Sequence, residues 1–195
     1  MKADTYKTLR QASPKTVFKD RGSKFIGMAF PVKDIDEVKN ILKQIKSSYH
    51  DARHWCYAYR LGKQPPYIER ANDDGEPSHS AGAPILNQIR SFDLTDTLVV
   101  VVRYFGGVKL GVSGLINAYK TAAKSALEQS EIVEKEILIP LEIYFPYEKM
   151  NEVMRYIKKN NIRILERGGA GKAYLKLGIR PGIWEEVREK MDMWL

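Results

Sequence analysis

The chain has 195 residues, 44% of them hydrophobic, enough to bury a core in one ordinary domain or two small ones, which excludes the disordered and fibrous classes. Its 32 Lys and Arg against 24 Asp and Glu leave a formal net charge of +8, a bias that concentrates polyanions at the surface and serves equally well to keep a domain dispersed. Cys56 is the single cysteine, so an intramolecular disulfide is excluded and a reducing compartment, the cytoplasm, is expected; no apolar leader-like stretch and no run of about eighteen apolar residues points to secretion or a membrane.

In chain order, Tyr6 to Leu9, Lys15 to Lys19 and Lys24 to Phe30 read as consecutive strands of an antiparallel opening sheet, punctuated by Ser13-Pro14 and Arg21-Gly22. From Ile35 the apolar positions Val38, Ile41, Leu42 and Ile45 keep helical spacing, and Asp34 followed three residues later by Glu37 resembles a capping box. Arg53 to Arg60 returns to strand character, with His54, Cys56 and Ala58 on one face and Trp55, Tyr57 and Tyr59 on the other. Gly62 to Gly82 is dense in turn formers and reads as one long loop, which at that length is usually functional or mobile.

A short helix is expected over Ala83 to Ile89. Thr97 to Phe105, centred on Leu98-Val99-Val100-Val101-Val102, is the apolar run of a strand buried on both faces and the expected centre of the first sheet. A glycine-rich bend, Gly106 to Gly114, leads into a helix from Ser113 to about Ser130, with Leu115, Ala118, Tyr119, Ala122, Ala126 and Leu127 inward. The charged stretch Glu128 to Glu136 is the expected boundary, giving domains of residues 1–134 and 135–195. The surplus of basic over acidic residues is six up to Lys135 and two beyond it. After the boundary, a strand over Ile137 to Phe145, a helix over Tyr147 to Asn160, strands over Ile162 to Arg167 and Lys172 to Ile179, and a helix from Pro181 ending on Met193-Trp194 make β-α-β-β-α. This is most of a ferredoxin-like unit without its last strand, so the fold class is α+β, and the open sheet edge calls for a cover.

Two loops carry the chemical candidates. In the bend, Gly106, Gly107, Gly111, Ser113 and Gly114 allow backbone N–H groups to approach an anion at a helix N-terminus, and Arg21, Lys24, Arg103, Lys109, Lys120 and Lys124 are the candidate nucleic-acid-binding cations; the competing reading is a tight turn that needs positive φ. Gly106 and Gly111 have P-loop spacing, but Val112 stands where the phosphate-binding lysine belongs, which excludes a Walker site. In the long loop, Asp73, Asp74, Glu76 and His79 are candidates for acid and base chemistry, against a turn in which Asp and Ser side chains bond the loop backbone. Their spacing defines no metal site, and no cofactor is expected. His54 and Cys56 share a strand face in the manner of a nucleophile pair, although a small buried cysteine is the commoner occupant. Tyr57, Tyr59, Tyr67 and Tyr104, interleaved with Arg53, Arg60 and Arg103, suit either base stacking or a core edge.

Arg21-Gly-Ser-Lys-Phe-Ile-Gly27, His54-Trp-Cys-Tyr-Ala-Tyr59, Asp73-Asp-Gly-Glu-Pro-Ser78, Ala81-Gly-Ala-Pro-Ile-Leu86 and Arg103 to Tyr119, in that order, resemble the IMPACT family and its bacterial YigZ-like members; departures are His79-Ser80 for Gly-Thr, Ser113 for Gly and Asn117 for Arg. The resemblance implies the fold of the second domain of ribosomal protein S5 for residues 1–134, and a C-terminal domain similar to one of elongation factor G. For function it implies, among eukaryotic members, translational regulators that compete for an activator of a starvation-responsive kinase and, among bacterial ones, nucleic-acid binding. Fold alone does not choose an activity. Three readings follow: a module that binds RNA, the ribosome or translation factors through a basic glycine-rich surface; a hydrolase or transferase acting on a phosphorylated or peptide substrate at the Asp73 to His79 loop; and a non-catalytic protein-binding regulator. A monomer or weak dimer is expected.

Overall fold

The computed structural model describes residues 4–193, so residues 1–3, Trp194 and Leu195, and with them the ends of the expected leader-free start and of the last helix, lie outside the described residues. Residues 7–135 form one compact unit, and residues 4–6 with 136–193 form another. Along the chain the elements are β1 (Thr5–Leu9), β2 (Thr16–Asp20), β3 (Ser23–Pro31), α1 (Ile35–Ser48), β4 (His54–Leu61), β5 (Ile68–Asn72), α2 (Gly82–Ser91), β6 (Thr97–Tyr104), α3 (Gly111–Glu128), β7 (Ile132–Glu136), β8 (Ile139–Phe145), α4 (Met150–Lys159), β9 (Arg163–Gly168), β10 (Ala173–Ile179) and α5 (Trp184–Asp192). No helix among the described residues is long and apolar enough to cross a membrane.

In the first unit, five antiparallel strands run in the order β2-β3-β6-β4-β5. The apolar run of β6 is the middle strand, and its alternation feeds two cores. Val99 and Val101 pack with Ile85 and Ile89 of α2 and with Leu115, Ala118, Tyr119 and Ala122 of α3. Leu98, Val100 and Val102 face the other way, onto Val38 and Ile45 of α1. Side chains of period two on the strand and 3.6 on the helices therefore meet in two layers, one on each side of the sheet. Gly27 of β3 lets α3 approach closely, because a Cβ there would fall inside the Ala122 carbonyl group.

Local signals explain how α1 begins. The Asp34 side chain accepts the Glu37 N–H at 2.8 Å, while the Glu37 carboxylate reaches past the N-cap to the Lys33 N–H at 2.9 Å. Two donors at the helix start are thus satisfied, the second one residue earlier than in the usual capping box.

Three expectations are corrected. The segment around Tyr6 to Leu9 does not join the opening sheet; β1 pairs with β7 in a two-stranded ribbon, and the charged stretch Glu128 to Glu136 thereby contains a strand. Gly62 to Gly82 is not loop throughout, since Ile68 to Asn72 pairs antiparallel with β4 from Leu61 to Tyr57. An edge strand buries little, so its composition stays polar and only the pairing partner reveals it. Finally, α3 starts at Gly111, two residues before Ser113.

The second unit has the strand order β8-β10-β9, antiparallel throughout, with a register shift at Lys176/Leu177. Ile143, Phe145, Leu175, Leu177 and Ile179 point to one face, where Val153 and Ile157 of α4 and Val187 and Met191 of α5 close the core. Tyr144 and Tyr174, paired across the strands, hold their rings 4.9 Å apart.

Removing the α1 cap by Asp34→Ala should lower stability by about 1 kcal/mol. Urea unfolding of the variant against the parent measures the difference, and an unchanged midpoint contradicts the role given to this carboxylate.

Candidate functional site

The candidate residues gather where β3 and β4 begin and β6 ends. Lys24 lies across from Tyr104, and Phe25 and His54 flank Arg103 on either side of β6. β5 leaves the sheet at this same end, with Asn72 opposite Tyr57, so the segment 73–81 starts beside His54.

Asp73 is spent on the backbone at the end of that segment, and Asp74 ties the segment to β4 and, at 3.5 Å, to the Lys46 ammonium of α1. Asp73 Oδ1 accepts the N–H groups of Ala81 (3.0 Å) and Gly82 (2.8 Å), and its Oδ2 accepts that of His79 (2.9 Å). Burial pushes this carboxyl group up, but the three N–H donors outweigh it and hold the group below the ordinary aspartate value. Asp74 Oδ2 accepts the Trp55 N–H at 2.8 Å, and the Asp74 carbonyl accepts a proton from His54 Nδ1 at 2.8 Å. Because a carbonyl only accepts, Nδ1 carries the hydrogen; in the neutral ring Nε2 is then a bare acceptor.

Glu76 is the one carboxylate of the loop turned inward, its side chain 4% exposed. Its Oε1 accepts from Arg103 Nη1 at 2.6 Å and from the Tyr119 hydroxyl at 2.7 Å, and His54 Nε2 stands 3.9 Å away. Both bonds fall on Oε1, and Oε2 has no hydrogen-bond partner among the described residues. Arg103 is itself buried, places its guanidinium 5.4 Å from the Phe25 ring centre and 5.6 Å from that of Phe105, and reaches Ser23 Oγ at 3.4 Å. Beneath them the Cys56 thiol donates to the Asp73 carbonyl at 3.0 Å and lies 3.3 Å from the Tyr119 hydroxyl. Burial pushes the ionisation of both Cys56 and Tyr119 up, so the thiol stays protonated and is no nucleophile.

The glycine bend completes the enclosure. Gly106 donates its N–H to Ser23 Oγ at 3.1 Å, and a Cβ at Gly106 would overlap the Gly22 backbone, so the β2–β3 turn and the β6–α3 bend are pressed together. Gly107 (φ +88) and Gly111 (φ +74) take left-handed backbone facing open space. No side chain caps α3, an 18-residue helix with no acidic residue in its first turn. Its first N–H groups have no intrahelical partner, and they carry the positive end of the helix dipole. Between this helix start and the Glu76 loop lies a cavity of about 410 Å³ lined by His54, Glu76, Pro77, Arg103, Phe105, Lys109, Leu110, Gly111, Val112 and Leu115. Of the two loops' candidates, Glu76, Lys109 and Gly111 thus line one cavity, while Asp73, Asp74, Gly106, Gly107, Ser113 and Gly114 are not among its lining residues.

The expected cations divide. Arg21, Lys24 and Lys109 are exposed at this end of the sheet, with the Lys24 ammonium 5.7 Å from the Tyr104 ring centre. Arg103 is corrected from a surface phosphate ligand to the buried partner of Glu76. Lys120 lines a separate groove of about 340 Å³ between α2 and α3, together with His79. Lys124 sits one turn further on and pairs with Glu128 at 3.5 Å. His79 therefore belongs to a different surface from Glu76, and the imidazole beside that carboxylate is His54.

Among the tyrosines, Tyr57 and Tyr59 pack in the α1-side core, Tyr67 lies 3.6 Å under the Arg60 guanidinium, and Tyr104 donates to Asp51 at 2.7 Å, a bond that pushes its phenol up to about 12. The exposed aromatic at the site is Phe105, 51% accessible. Sequence reading missed it because a hydrophobic residue closing an apolar strand reads as core.

A family model described as the Impact N-terminal domain matches residues 21–127, a span that contains every residue of the cavity. The chain is similar to the IMPACT family member YvyE of Bacillus subtilis (strain 168), 32% identical over 162 residues that make up 83% of this chain and 74% of that protein. It is also similar to the IMPACT family member YigZ of Escherichia coli (strain K12), 31% identical over 144 residues, 73% of this chain and 71% of the relative. A crystal structure of a hypothetical protein, 24% identical, matches 96% of this chain and 91% of its own at a TM-score of 0.69, which shows a shared fold.

Two outcomes test the internal bonding. Glu76→Leu leaves a buried guanidinium unpaired and should cost about 3–5 kcal/mol, whereas the double variant Glu76→Leu/Arg103→Met should be more stable than Glu76→Leu alone in urea unfolding. For Asp73 the folded value lies below the unfolded one, so its stabilisation is present above about pH 4 and is lost as pH falls through the folded value. Asp73→Asn should accordingly lower the unfolding midpoint at pH 7 and flatten its decline below pH 4; an equally steep decline contradicts the assignment.

Proposed function

The chain belongs to the IMPACT family, and from that premise we propose that it is a non-catalytic, translation-associated protein that contacts RNA through this end of its first sheet. The translation setting follows from the family resemblance. Membership also supports assigning an S5 domain 2-like fold to residues 1–134 and a ferredoxin-like fold to residues 135–195, for whose first three strands the order β8-β10-β9 is the expected one.

The observation that carries the RNA reading is the open, uncapped start of α3 with Arg21, Lys24 and Lys109 exposed at the same end of the sheet. Backbone N–H groups at a helix start bind phosphate oxygens, and three exposed cations neutralise further phosphates with release of counterions. Lys120 and Lys124 are left out of this set, because one lies in the α2–α3 groove and the other is paired on the helix surface.

Binding of a labelled single-stranded RNA, followed by fluorescence anisotropy over about 50–200 mM salt, should weaken steeply with salt. The triple variant Arg21→Ala/Lys24→Ala/Lys109→Ala should flatten the logarithmic slope by about 2, at about 0.7 for each phosphate contact on a single strand. Lys124→Ala should leave the slope unchanged. A salt-insensitive affinity, or a triple variant that binds like the parent, sinks the proposal.

A further inference from the structure

The cavity between Glu76 and the start of α3 has two chemically opposite walls. On one, Glu76 Oε2 and His54 Nε2 are acceptors without a donor between them, since Oε1 is saturated by Arg103 and Tyr119 and the His54 proton is held on Nδ1 by the Asp74 carbonyl. On the other, Gly111 and Val112 present the first N–H groups of α3, with Lys109 beside them. Phe105, half exposed, gives the same cavity an aromatic face, and Pro77, Leu110 and Leu115 make the rest of it apolar. Arg103, 6% exposed, also lines it, and its Nε has no hydrogen-bond partner among the described residues.

A ligand that satisfies all of this carries an anion at one end, a flat π-system in the middle and hydrogen-bond donors at the other end. A nucleoside monophosphate has that constitution, and a volume of about 410 Å³ lies within the range of small-molecule sites. The two acceptors then choose the base. Guanine presents two adjacent N–H donors on its pairing edge, N1–H and N2–H. Adenine and cytosine set a donor next to an acceptor, and uracil sets a single donor between two acceptors; each of these would place a lone pair against His54 or Glu76.

We infer that this cavity binds a guanosine monophosphate unit, with its phosphate on the Gly111 and Val112 N–H groups and Lys109, its base against Phe105, its N2–H directed to Glu76 and its N1–H to His54. The inference rests on the same anion site as the RNA reading and deepens it: the unit is an unpaired guanosine of the bound strand or the free nucleotide. A phosphate-only site would not need the acceptor wall.

Calorimetric titration of the full chain with GMP, IMP, AMP, UMP and inorganic phosphate tests it. GMP should bind about tenfold or more tightly than AMP and UMP, and IMP, which lacks the N2 amino group, should lie between. Phe105→Ala, a change at an exposed position, should keep the unfolding midpoint and weaken GMP about tenfold through lost stacking. Glu76→Gln should remove the preference of GMP over IMP; if that variant does not fold, the nucleotide series and Phe105→Ala still decide.

Equal affinity for the four nucleotides, inorganic phosphate binding as well as GMP, or no heat up to millimolar GMP overturns the inference. RNA that binds with the expected salt dependence yet is not displaced by GMP overturns it while leaving the RNA reading intact. GMP binding without salt-dependent RNA affinity upholds it as a small-molecule site and ends the RNA reading.

Discussion

The contact on which the first unit's site depends is the buried pair between Glu76 and Arg103. Two charges removed from water are costly unless their geometry is close and their remaining bonds are met. Here the Arg103 Nη1 to Oε1 distance is 2.6 Å, and Tyr119 adds a second donor to the same oxygen. The pair therefore holds three elements at once: β6 through Arg103, the 73–81 segment through Glu76, and α3 through Tyr119. The acidic loop cannot lift away without stranding a guanidinium, so the cavity has a fixed wall.

That wall has a counterpart on the opposite side. The glycine bend is pinned by Gly106, whose N–H is taken by Ser23 and whose lack of a Cβ allows contact with Gly22. Pinning this one residue leaves the following ones, up to Gly111, free to turn outward with positive φ at two positions. The tight turn that the glycines allow is present, with positive φ at Gly107 and Gly111 and close backbone contact at Gly106. Gly106 serves the turn, while Gly111 and Val112 open the helix start.

Much of this was legible in the sequence where the signal is local. The period of α1 and its Asp34 cap, the doubly buried run of β6, and the inward face of α3 all depend on residues within a turn or two of one another. Signals that depend on a distant partner were not legible. Ile68 to Asn72 is a strand only because β4 lies beside it, and Arg103 is buried only because Glu76, 27 positions away, meets it. For the same reason His79, adjacent in sequence to the acidic cluster, looked like its imidazole. The positive φ of His79 (61°) and the fixation of its N–H by Asp73 turn it to the α2–α3 groove, and His54, 22 positions before Glu76, takes the place.

The division of labour among the three loop carboxylates also bears on what kind of site this is. Asp73 is held by three backbone donors and cannot coordinate a cation without dismantling the turn it holds, and Asp74 is shared between the Trp55 N–H and the Lys46 ammonium, 3.5 Å from its Oδ1. Glu76 is neutralised on one oxygen by Arg103. What remains is one carboxylate oxygen, one imidazole nitrogen, one aromatic face and the backbone N–H groups of the helix start, all on residues that line a single cavity. A hard cation asks for several anionic oxygens at short range, which this arrangement does not offer. A covalent mechanism asks for a nucleophile, and the thiol nearest the loop is buried and protonated. Donors on one wall and acceptors on the other are what the proposed guanosine monophosphate unit would meet.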